Sequence, residues 1–400
     1  MKKYLLSISV SLLFCQFIVE AQGVWTQKAS FSGAARSYAP VGFSIGSIGY
    51  IGLGYNGSTY YQDLRAYDQN TDAWTPKTNF YSTRDYSSSF VIDGKAYVGL
   101  GNIASINYND IWEYDTTLNA WSQKANFPGI ARVTAVAFAI NGKGYVGSGC
   151  FYPSYTTVYN DFYEYDPTSN IWTAKANFAT MGRIAPVGFA LNGKGYLGLG
   201  FISANQTDFW EYDPILDTWT QKGNFPGIHR NSAGSFTIGN NAYIAGGYDG
   251  SNDLDDFWQW EPVTDTWVQK ANLLGGTRTS MSAFSIGNKG YIGCGRTNGM
   301  ASNTFFEYDP SINVLVDNLK DTELVSIAPN PFSYQTVINF NIEQQNTVIK
   351  VSDVLGKEMM NTTFSGKQYT FEKNNLNPGI YFIQLRDENK NITNKKVVIQ

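Results

Sequence analysis

A tryptophan recurs six times in this 400-residue chain at intervals of 47 to 51 residues, and this spacing restricts the possible folds more than any other feature. Each copy holds the tryptophan in the pattern W-x-x-K, and an arginine followed six or seven residues later by a phenylalanine also recurs six times. The tryptophans are Trp25, Trp74, Trp121, Trp172, Trp219 and Trp267. A fixed period of this kind indicates a repeated unit that buries its apolar face against its neighbours.

Each copy contains four segments with the marks of short β-strands. The first alternates large and small side chains, as in residues 136–140, which is typical of a strand covered on both faces. Asn141-Gly142, a strong hairpin signal, follows it. The second strand is predicted at residues 49–54 and its equivalents, the third at 208–213 and its equivalents, and the fourth carries the tryptophan. Four strands per repeat is the proportion of a β-propeller blade.

The two ends of the repeat region predict how the ring closes. The sixth copy should place a tryptophan at position 315, where the sequence has Leu315. At the other end, residues 24–28 contain Trp25 but have no blade of their own. We therefore predict an all-β fold with a six-bladed propeller, in which the last blade takes its outer strand from the N-terminus and no open edge remains.

Residues 24–315 resemble the kelch family in four features of each blade: the arginine, a glycine pair after the second strand, Tyr-Asp, and the tryptophan. One departure is consistent. Five blades have Gly-x-Gly where kelch blades have Gly-Gly, and only the fifth keeps Gly246-Gly247. The resemblance implies a kelch-type propeller.

Residues 1–21 have the composition of a secretory signal peptide. Lys2 and Lys3 precede an apolar run over residues 5–19, and we predict cleavage between Ala21 and Gln22. Lipidation at Cys15 is disfavoured because the preceding Phe14 is bulky. No other stretch approaches the roughly 20 apolar residues that a membrane span needs, so no transmembrane segment is expected in the mature chain.

The repeat ends near residue 316, and the tail differs in composition. Residues 317–324 are polar and are predicted to be a linker, so that residues 22–316 form the propeller and 325–400 a small β-sandwich, with strands at 337–342, 348–354 and 380–385. The tail resembles the type A sorting domain of the type IX secretion system in four motifs in the expected order. These are Pro329-Asn330-Pro331, Asp353-Val354-Leu355-Gly356-Lys357, Pro378-Gly379-Ile380-Tyr381-Phe382 and Lys396-Val397-Val398-Ile399.

The tail's resemblance implies a partner and a location. Residues 325–400 would engage the type IX secretion machinery, which would carry the protein across both membranes of a Gram-negative bacterium. The tail would then be removed, and the protein would be secreted or attached to the cell surface.

Several nucleotide-binding and catalytic possibilities are disfavoured. A net charge of -4 provides no electrostatic footprint for nucleic acid. Residues 52–57 fit G-x-G-x-x-G, but they lead into a predicted strand and not into the helix that holds a pyrophosphate. Ser44 lies in a G-x-S-x-G pattern, but the only histidine is His229 in another blade. We predict no catalytic serine and no dinucleotide.

Metal and disulfide sites are also not expected. Soft redox metals need clustered imidazole or thiolate ligands, whereas Cys150 and Cys294 are predicted on opposite sides of the ring, too far apart for a disulfide. Calcium binding by four aspartates of blade five is a less favoured alternative, because two of them occupy usual kelch positions. These aspartates are Asp249, Asp253, Asp255 and Asp256. We expect neither a metal nor a cofactor.

Two sets of residues are candidates for ligand binding. The loop over residues 150–160 is the longest of its kind, and Tyr152 and Tyr155 could stack on sugars or pack against a protein; the alternative is a loop that packs on itself. One arginine per blade could also form a guanidinium ring that binds anions, or could instead brace neighbouring blades. These arginines are Arg36, Arg84, Arg132, Arg183, Arg230 and Arg278.

Two classes of function therefore remain after the sequence is read. The first, which we favour, is a non-catalytic recognition propeller that binds a glycan or a protein outside the cell. The alternative is a sugar mutarotase or epimerase resembling N-acetylneuraminate epimerase, since mutarotation needs only a positioned acid and base.

Overall fold

A computed structural model describes residues 23–312, 325–353, 357–386 and 392–400. The chain divides into two compact units, Met1–Val314 and Leu315–Gln400. The predicted signal peptide, its cleavage site at Ala21 and Gln22, and the predicted linker at 317–324 lie outside the described residues.

The strands of the first unit are short, mostly five residues long. The first fifteen are β1 (Val24–Lys28), β2 (Val41–Ile45), β3 (Ile48–Gly52), β4 (Leu64–Asp68), β5 (Ala73–Lys77), β6 (Ser88–Ile92), β7 (Lys95–Gly99), β8 (Asn102–Ile103), β9 (Ile106–Asn107), β10 (Ile111–Asp115), β11 (Ala120–Gln123), β12 (Val136–Ile140), β13 (Lys143–Gly147), β14 (Phe162–Asp166) and β15 (Ile171–Lys175). The next thirteen are β16 (Val187–Leu191), β17 (Lys194–Gly198), β18 (Phe209–Asp213), β19 (Thr218–Lys222), β20 (Gly234–Ile238), β21 (Asn241–Tyr248), β22 (Asp253–Glu261), β23 (Thr266–Lys270), β24 (Ser282–Ile286), β25 (Lys289–Gly293), β26 (Arg296–Thr297), β27 (Met300–Ala301) and β28 (Phe305–Asp309).

Within residues 23–312 these strands form six four-stranded antiparallel sheets, which are the six predicted blades. Blade one is β2–β5; blade two is β6, β7, β10 and β11; blade three is β12–β15; blade four is β16–β19; blade five is β20–β23; and blade six is β24, β25, β28 and β1. Two small hairpins, β8–β9 and β26–β27, extend the loops of blades two and six. The prediction of a six-bladed, all-β ring is confirmed.

The alternation of large and small residues is explained by packing between blades. The Phe90 ring of blade two fills the space beside Gly144 of blade three, and a Cβ at Gly144 would collide with it. Phe138 of blade three meets Gly195 of blade four in the same way. Each inner phenylalanine therefore needs a small residue in the next blade, since protein interiors are packed to nearly crystalline density.

The N-terminal strand closes the ring as predicted. Strand β1 pairs antiparallel with β28, and Trp25 lies opposite Tyr308. The Trp25 ring is buried and contacts Phe257 of blade five at a centroid distance of 4.9 Å. Blade six therefore combines strands from both ends of the repeat region, which leaves no unpaired edge between the first and last blades.

The second unit is a small sandwich. Its strands are β29 (Val325–Ala328), β30 (Gln335–Asp353), β31 (Glu358–Glu372), β32 (Gly379–Arg386) and β33 (Ile392–Ile399). Two of the predicted strands, 337–342 and 348–354, lie almost entirely within the single strand β30, because register shifts between Asn339 and Thr347 bend it without ending it. Residues from both halves of β30, including Ile338 and Val351, share one apolar core. The predicted β-sandwich is confirmed.

The blade topology gathers two kinds of connection on one face of the propeller. In every blade the inner strand begins where the second strand ends, as Val41 opposite Gly52 illustrates. The loops after the second strands and the connections between blades therefore lie at the same end of the ring. We call this end the mouth face.

Candidate functional site

The six repeated arginines are structural braces within their blades. All six are at most 1% exposed. In five blades the guanidinium forms an ion pair with an aspartate, which immediately precedes the third strand in blades one to four and lies within it in blade five. The pairs are Arg36–Asp63, Arg84–Asp110, Arg132–Asp161, Arg183–Asp208 and Arg230–Asp256.

The geometry of these pairs leaves little of the guanidinium for a ligand. Arg230 Nη1 donates to Asp256 Oδ1 at 2.6 Å and Nη2 donates to Oδ2 at 2.7 Å, while Nη1 also bonds the Gly246 carbonyl oxygen. Burial by itself raises the pKa of Asp110, but the Arg84 guanidinium outweighs it, and the pKa lies below its ordinary value. The burial of all six arginines argues against the anion-binding ring. The five aspartate partners lie in the same blade as their arginine, so these arginines brace their own blades and not the neighbouring blades that the alternative named.

A ring of mostly small residues surrounds the axis on the mouth face. Each blade contributes one residue with a left-handed backbone just before its inner strand. These residues are Ala39, Tyr86, Thr134, Ala185, Ser232 and Ser280. They line a cavity of about 180 Å³. A second space of about 200 Å³ between the inner strands shares lining residues such as Pro40 and Ala135 with it.

Tyr86 is the exception in this ring. Its φ of 51° places a bulky aromatic residue in a backbone region that such residues rarely adopt. The half-buried Tyr86 ring lies 6.4 Å from that of Tyr38 and narrows the cavity at blade two. Strained residues of this kind cluster at functional sites, which makes Tyr86 a candidate.

Asp85, the neighbour of Tyr86, is a second departure from the repeat. It pairs with Asn102 in the position where Val133 pairs with Cys150 in blade three and Ile184 with Phe201 in blade four. Asp85 is 3% exposed, and its Oδ1 atom has no hydrogen-bond partner. Burial raises the pKa of Asp85 to about 7. A buried carboxyl group at such a position is a recognised mark of a functional site.

The long loop of blade three meets Asp85 from the other side. Tyr155 is 37% exposed, and its ring lies 5.3 Å from that of Tyr152. Asn107 of β9 anchors the loop, because its side chain donates to the Tyr152 carbonyl oxygen at 2.7 Å and accepts from the Tyr152 amide at 3.3 Å. The loop is therefore both anchored and partly exposed, and it packs against blade two.

Three tyrosines, Tyr60, Tyr86 and Tyr155, lie near Asp85, and two more, Tyr38 and Tyr152, lie near Tyr86. We call these five residues the tyrosine cluster. Burial raises the pKa of Tyr86 well above its ordinary value, and the nearby Tyr155 and Asp85 raise it further. The Tyr86 and Tyr155 side chains interact with each other. The cluster thus presents neutral phenols, which can donate and accept hydrogen bonds, around a carboxyl group.

A charged pair in blades five and six lies on the mouth face, and its arginine interacts with Tyr38 of the tyrosine cluster. Arg296 Nη2 donates to Asp253 Oδ1 at 2.6 Å and Nε donates to Oδ2 at 3.1 Å. Arg296 occupies the ladder position of blade six that Asn102 occupies in blade two. The hydrogen bond with Asp253 raises the pKa of Arg296, so this guanidinium stays charged and held in place.

The four aspartates considered for calcium have separate roles. Asp256 pairs with Arg230 and Asp253 with Arg296. Asp249 accepts from two backbone amides of its own turn, and Asp255 accepts from Asn272. Among the described residues, no group of three or more histidine, cysteine or acidic side chains could hold a metal ion. Cys150 and Cys294 are both buried, free thiols.

Sequence reasoning places Tyr152 and Tyr155 at this site but does not single out Asp85, Tyr86, Tyr60 or Asn102. A usable signal exists nonetheless. When the six copies are aligned on the arginine, the residue after it is Asp85 in blade two and Val133 or Ile184 in the next two blades. That comparison would have identified the one acidic residue at this position.

Comparisons with known proteins agree with this architecture. The kelch motif family matches residues 229–274, and the secretion system C-terminal sorting domain matches residues 326–400. The chain is therefore an exported kelch-type β-propeller that carries a C-terminal sorting domain. Within the described residues no helix is long and apolar enough to cross a membrane.

One solved structure illustrates the fold relationship. The structure titled "Structure of YjhT" superimposes with a TM-score of 0.60 and 19% sequence identity, covering 69% of this chain and 95% of the other. At this identity the likeness concerns the fold alone. No curated protein sequence matches the chain significantly.

Proposed function

We propose that this exported propeller is a non-catalytic recognition module that binds a glycan on the mouth face at blades one to three. The observation that carries the proposal is the tyrosine cluster, which sits beside the axial cavity where the repeats differ most. Tyrosine rings offer apolar faces to the C–H surfaces of sugars, and their hydroxyls offer hydrogen bonds to sugar hydroxyls.

The scaffold supports this role by holding the cluster rigidly. Tyr38 and Tyr60 come from blade one, Tyr86 from blade two, and Tyr152 from a loop fastened by Asn107. Side chains that are already ordered lose little conformational entropy when a ligand binds. The cavity of about 180 Å³ is smaller than sites for drug-sized ligands, which favours a single sugar unit or the end of a chain as the part that enters.

Export fits recognition outside the cell. The sorting domain matches residues 326–400, so the propeller is delivered by a secretion system. We propose that the tail is removed during delivery and that the propeller is then released or attached to the cell surface.

The proposal is tested by screening the whole chain against neutral and acidic glycans at low and high salt. Tyr155→Ala removes a ring of the tyrosine cluster, and Tyr334→Ala, which is 86% exposed in the sorting domain, is the matched control. Binding that is lost only in Tyr155→Ala supports the proposal. An absence of any glycan binding would overturn it and direct attention to a protein partner.

A second candidate, a sugar mutarotase or epimerase resembling N-acetylneuraminate epimerase, is favoured by one observation. The pKa of Asp85, raised to about 7 by burial, suits a group that both accepts and donates protons at neutral pH. NMR measurement of anomer exchange tests this candidate: exchange accelerated by the protein and lost in Asp85→Asn would favour the enzyme over the recognition module.

A further inference from the structure

Asp85 and Asn102 present two buried acceptor atoms side by side. The two residues exchange both backbone hydrogen bonds, at 3.0 and 3.1 Å, which places their side chains on the same side of the ladder. Asp85 is 3% exposed and Asn102 is 1% exposed, and the Oδ1 atom of each has no partner. Asn102 Nδ2 donates to the Ala104 carbonyl oxygen at 2.9 Å, which leaves Oδ1 as the free end of that amide.

Unpartnered buried acceptors are costly, because a polar atom removed from water without a hydrogen bond loses about 1–3 kcal/mol. Two such atoms in paired residues indicate that a donor belongs there. The equivalent residues of the later blades, Val133, Ile184, Asn231 and Thr279, are all uncharged. When Asp85 is ionised, no group of the described residues supplies this donor.

The charged and titratable groups around the pair leave the carboxyl group without a cation. Tyr60 faces it from the blade one loop, Tyr86 from its own connection, and Tyr155 from the blade three loop. The adjacent Arg84 is bonded to Asp110, and no ion pair of the described residues includes Asp85. The pair is therefore an acidic position beside three tyrosines. Arg296 interacts with Tyr38 of the tyrosine cluster, but its ion pair is with Asp253.

We propose that Asp85 and Asn102 bind the protonated amine of an amino sugar, with the rings of the tyrosine cluster enclosing the cation. This inference rests on the proposed glycan function and defines the class of glycan. An ammonium group carries three N–H donors and a positive charge, so it can satisfy both Oδ1 atoms, and aromatic faces attract cations. A hydroxyl group has only one donor and cannot satisfy both Oδ1 atoms. A ligand carboxylate would be repelled by the ionised Asp85.

Ionisation of Asp85 is coupled to this binding. A bound cation stabilises the carboxylate, so it should lower the pKa of Asp85 from its raised value of about 7 in the free protein. The neutral phenols of the tyrosine cluster remain available as hydrogen-bond donors to the sugar hydroxyls.

The test uses three trisaccharides with the same β-1,4 backbone and a different group at C2 of each unit. Chitosan trisaccharide has an amine there, chitin trisaccharide an N-acetyl group, and cellotriose a hydroxyl group. Binding of each to the whole chain is measured by calorimetry at pH 7. We expect the amine to bind about tenfold or more tightly than either neutral sugar, as a charge-assisted hydrogen bond would give. We expect Asp85→Asn to abolish that preference.

The outcomes separate this inference from the proposed function. Equal binding of all three sugars, or an amine preference that survives in Asp85→Asn, would overturn the amine site and leave glycan recognition standing. Failure of all three to bind would count against both. The carbon NMR titration of the Asp85 carboxyl group gives a second readout: its pKa should fall when chitosan trisaccharide saturates the protein, and an unchanged pKa would contradict the inference.

Discussion

Arg278 faces Thr304 in blade six, at the position where each of the other five arginines faces an aspartate. Its Nη2 atom donates to Thr304 Oγ1 at 2.6 Å, and its Nη1 atom donates to the Cys294 carbonyl oxygen. Arg278 is 1% exposed, and burial lowers its pKa to about 10. Blade six thus holds a buried guanidinium without a carboxylate partner. The other five blades have an aspartate as the partner of this arginine.

Completing this pair should stabilise the propeller. We expect Thr304→Asp to raise the free energy of unfolding by about 1.5–3 kcal/mol at neutral pH, the usual range for a hydrogen bond to a charged group. Urea unfolding of the whole chain measures it. Thr304→Asn has nearly the same shape without the charge and is the matched control. If both variants have the same free energy of unfolding, a carboxylate partner for Arg278 does not stabilise the propeller and the prediction is wrong.

Ring closure by the N-terminal strand predicts that Trp25 matters as much as a tryptophan inside a continuous blade. Trp25→Ala should lower the free energy of unfolding by about 3–5 kcal/mol, because it empties a buried aromatic site. Trp219→Ala, in blade four, is the comparison. Deletion of residues 22–29 should cause the propeller to lose its fold, and unchanged stability after that deletion would contradict the closure.

Asp85 predicts an unusual dependence of stability on pH. Its folded pKa of about 7 lies above the unfolded value of about 3.9, so the folded state holds more protons between these values. The free energy of unfolding should therefore fall as pH rises through this window, by on the order of 4 kcal/mol in total from this group.

Replacing the carboxyl group should remove that dependence. We expect Asp85→Asn to leave stability at pH 4 nearly unchanged and to raise it by up to about 4 kcal/mol at pH 8. Unfolding curves at several pH values measure the difference, and Asp93→Asn at an exposed turn controls for the chemical change. A constant effect at all pH values would show that Asp85 is ionised alike in both states.

The sorting domain predicts a processed product. Protein recovered from the medium outside the cells of its native host should lack residues 325–400, because we propose that the sorting domain is removed during delivery. Intact mass spectrometry of the recovered protein measures this. A mass that includes the tail would contradict removal, although export itself would remain.

The ring was predictable because its determinants are local and occur six times. Trp25 without a blade, together with Leu315 where a tryptophan is due, was enough to predict closure. In the tail, two predicted strands belong to the one bent strand Gln335–Asp353, because the sequence does not reveal that bulges continue a strand where polar residues interrupt its pattern.

The functional residues were harder to predict because they depend on distant partners. The bracing role of Arg132 can be recognised only in the folded structure, where Asp161, 29 residues further along the chain, lies beside it. Asp85 has no motif around it, and its raised pKa arises from its burial in the folded protein. A residue that departs from the repeat is therefore the useful signal, and its chemistry becomes clear only in the folded ring.

The central claim is that the tyrosine cluster forms the binding site, and calorimetry tests it most directly. The glycan that binds best in the screen is titrated into the whole chain, Tyr86→Ala, Tyr155→Ala and the control Tyr334→Ala. Each cluster variant loses an aromatic contact worth about 1.5–3 kcal/mol, so its affinity should be at least tenfold weaker. The affinity of the control should not change. Unchanged affinity in both cluster variants would contradict the account.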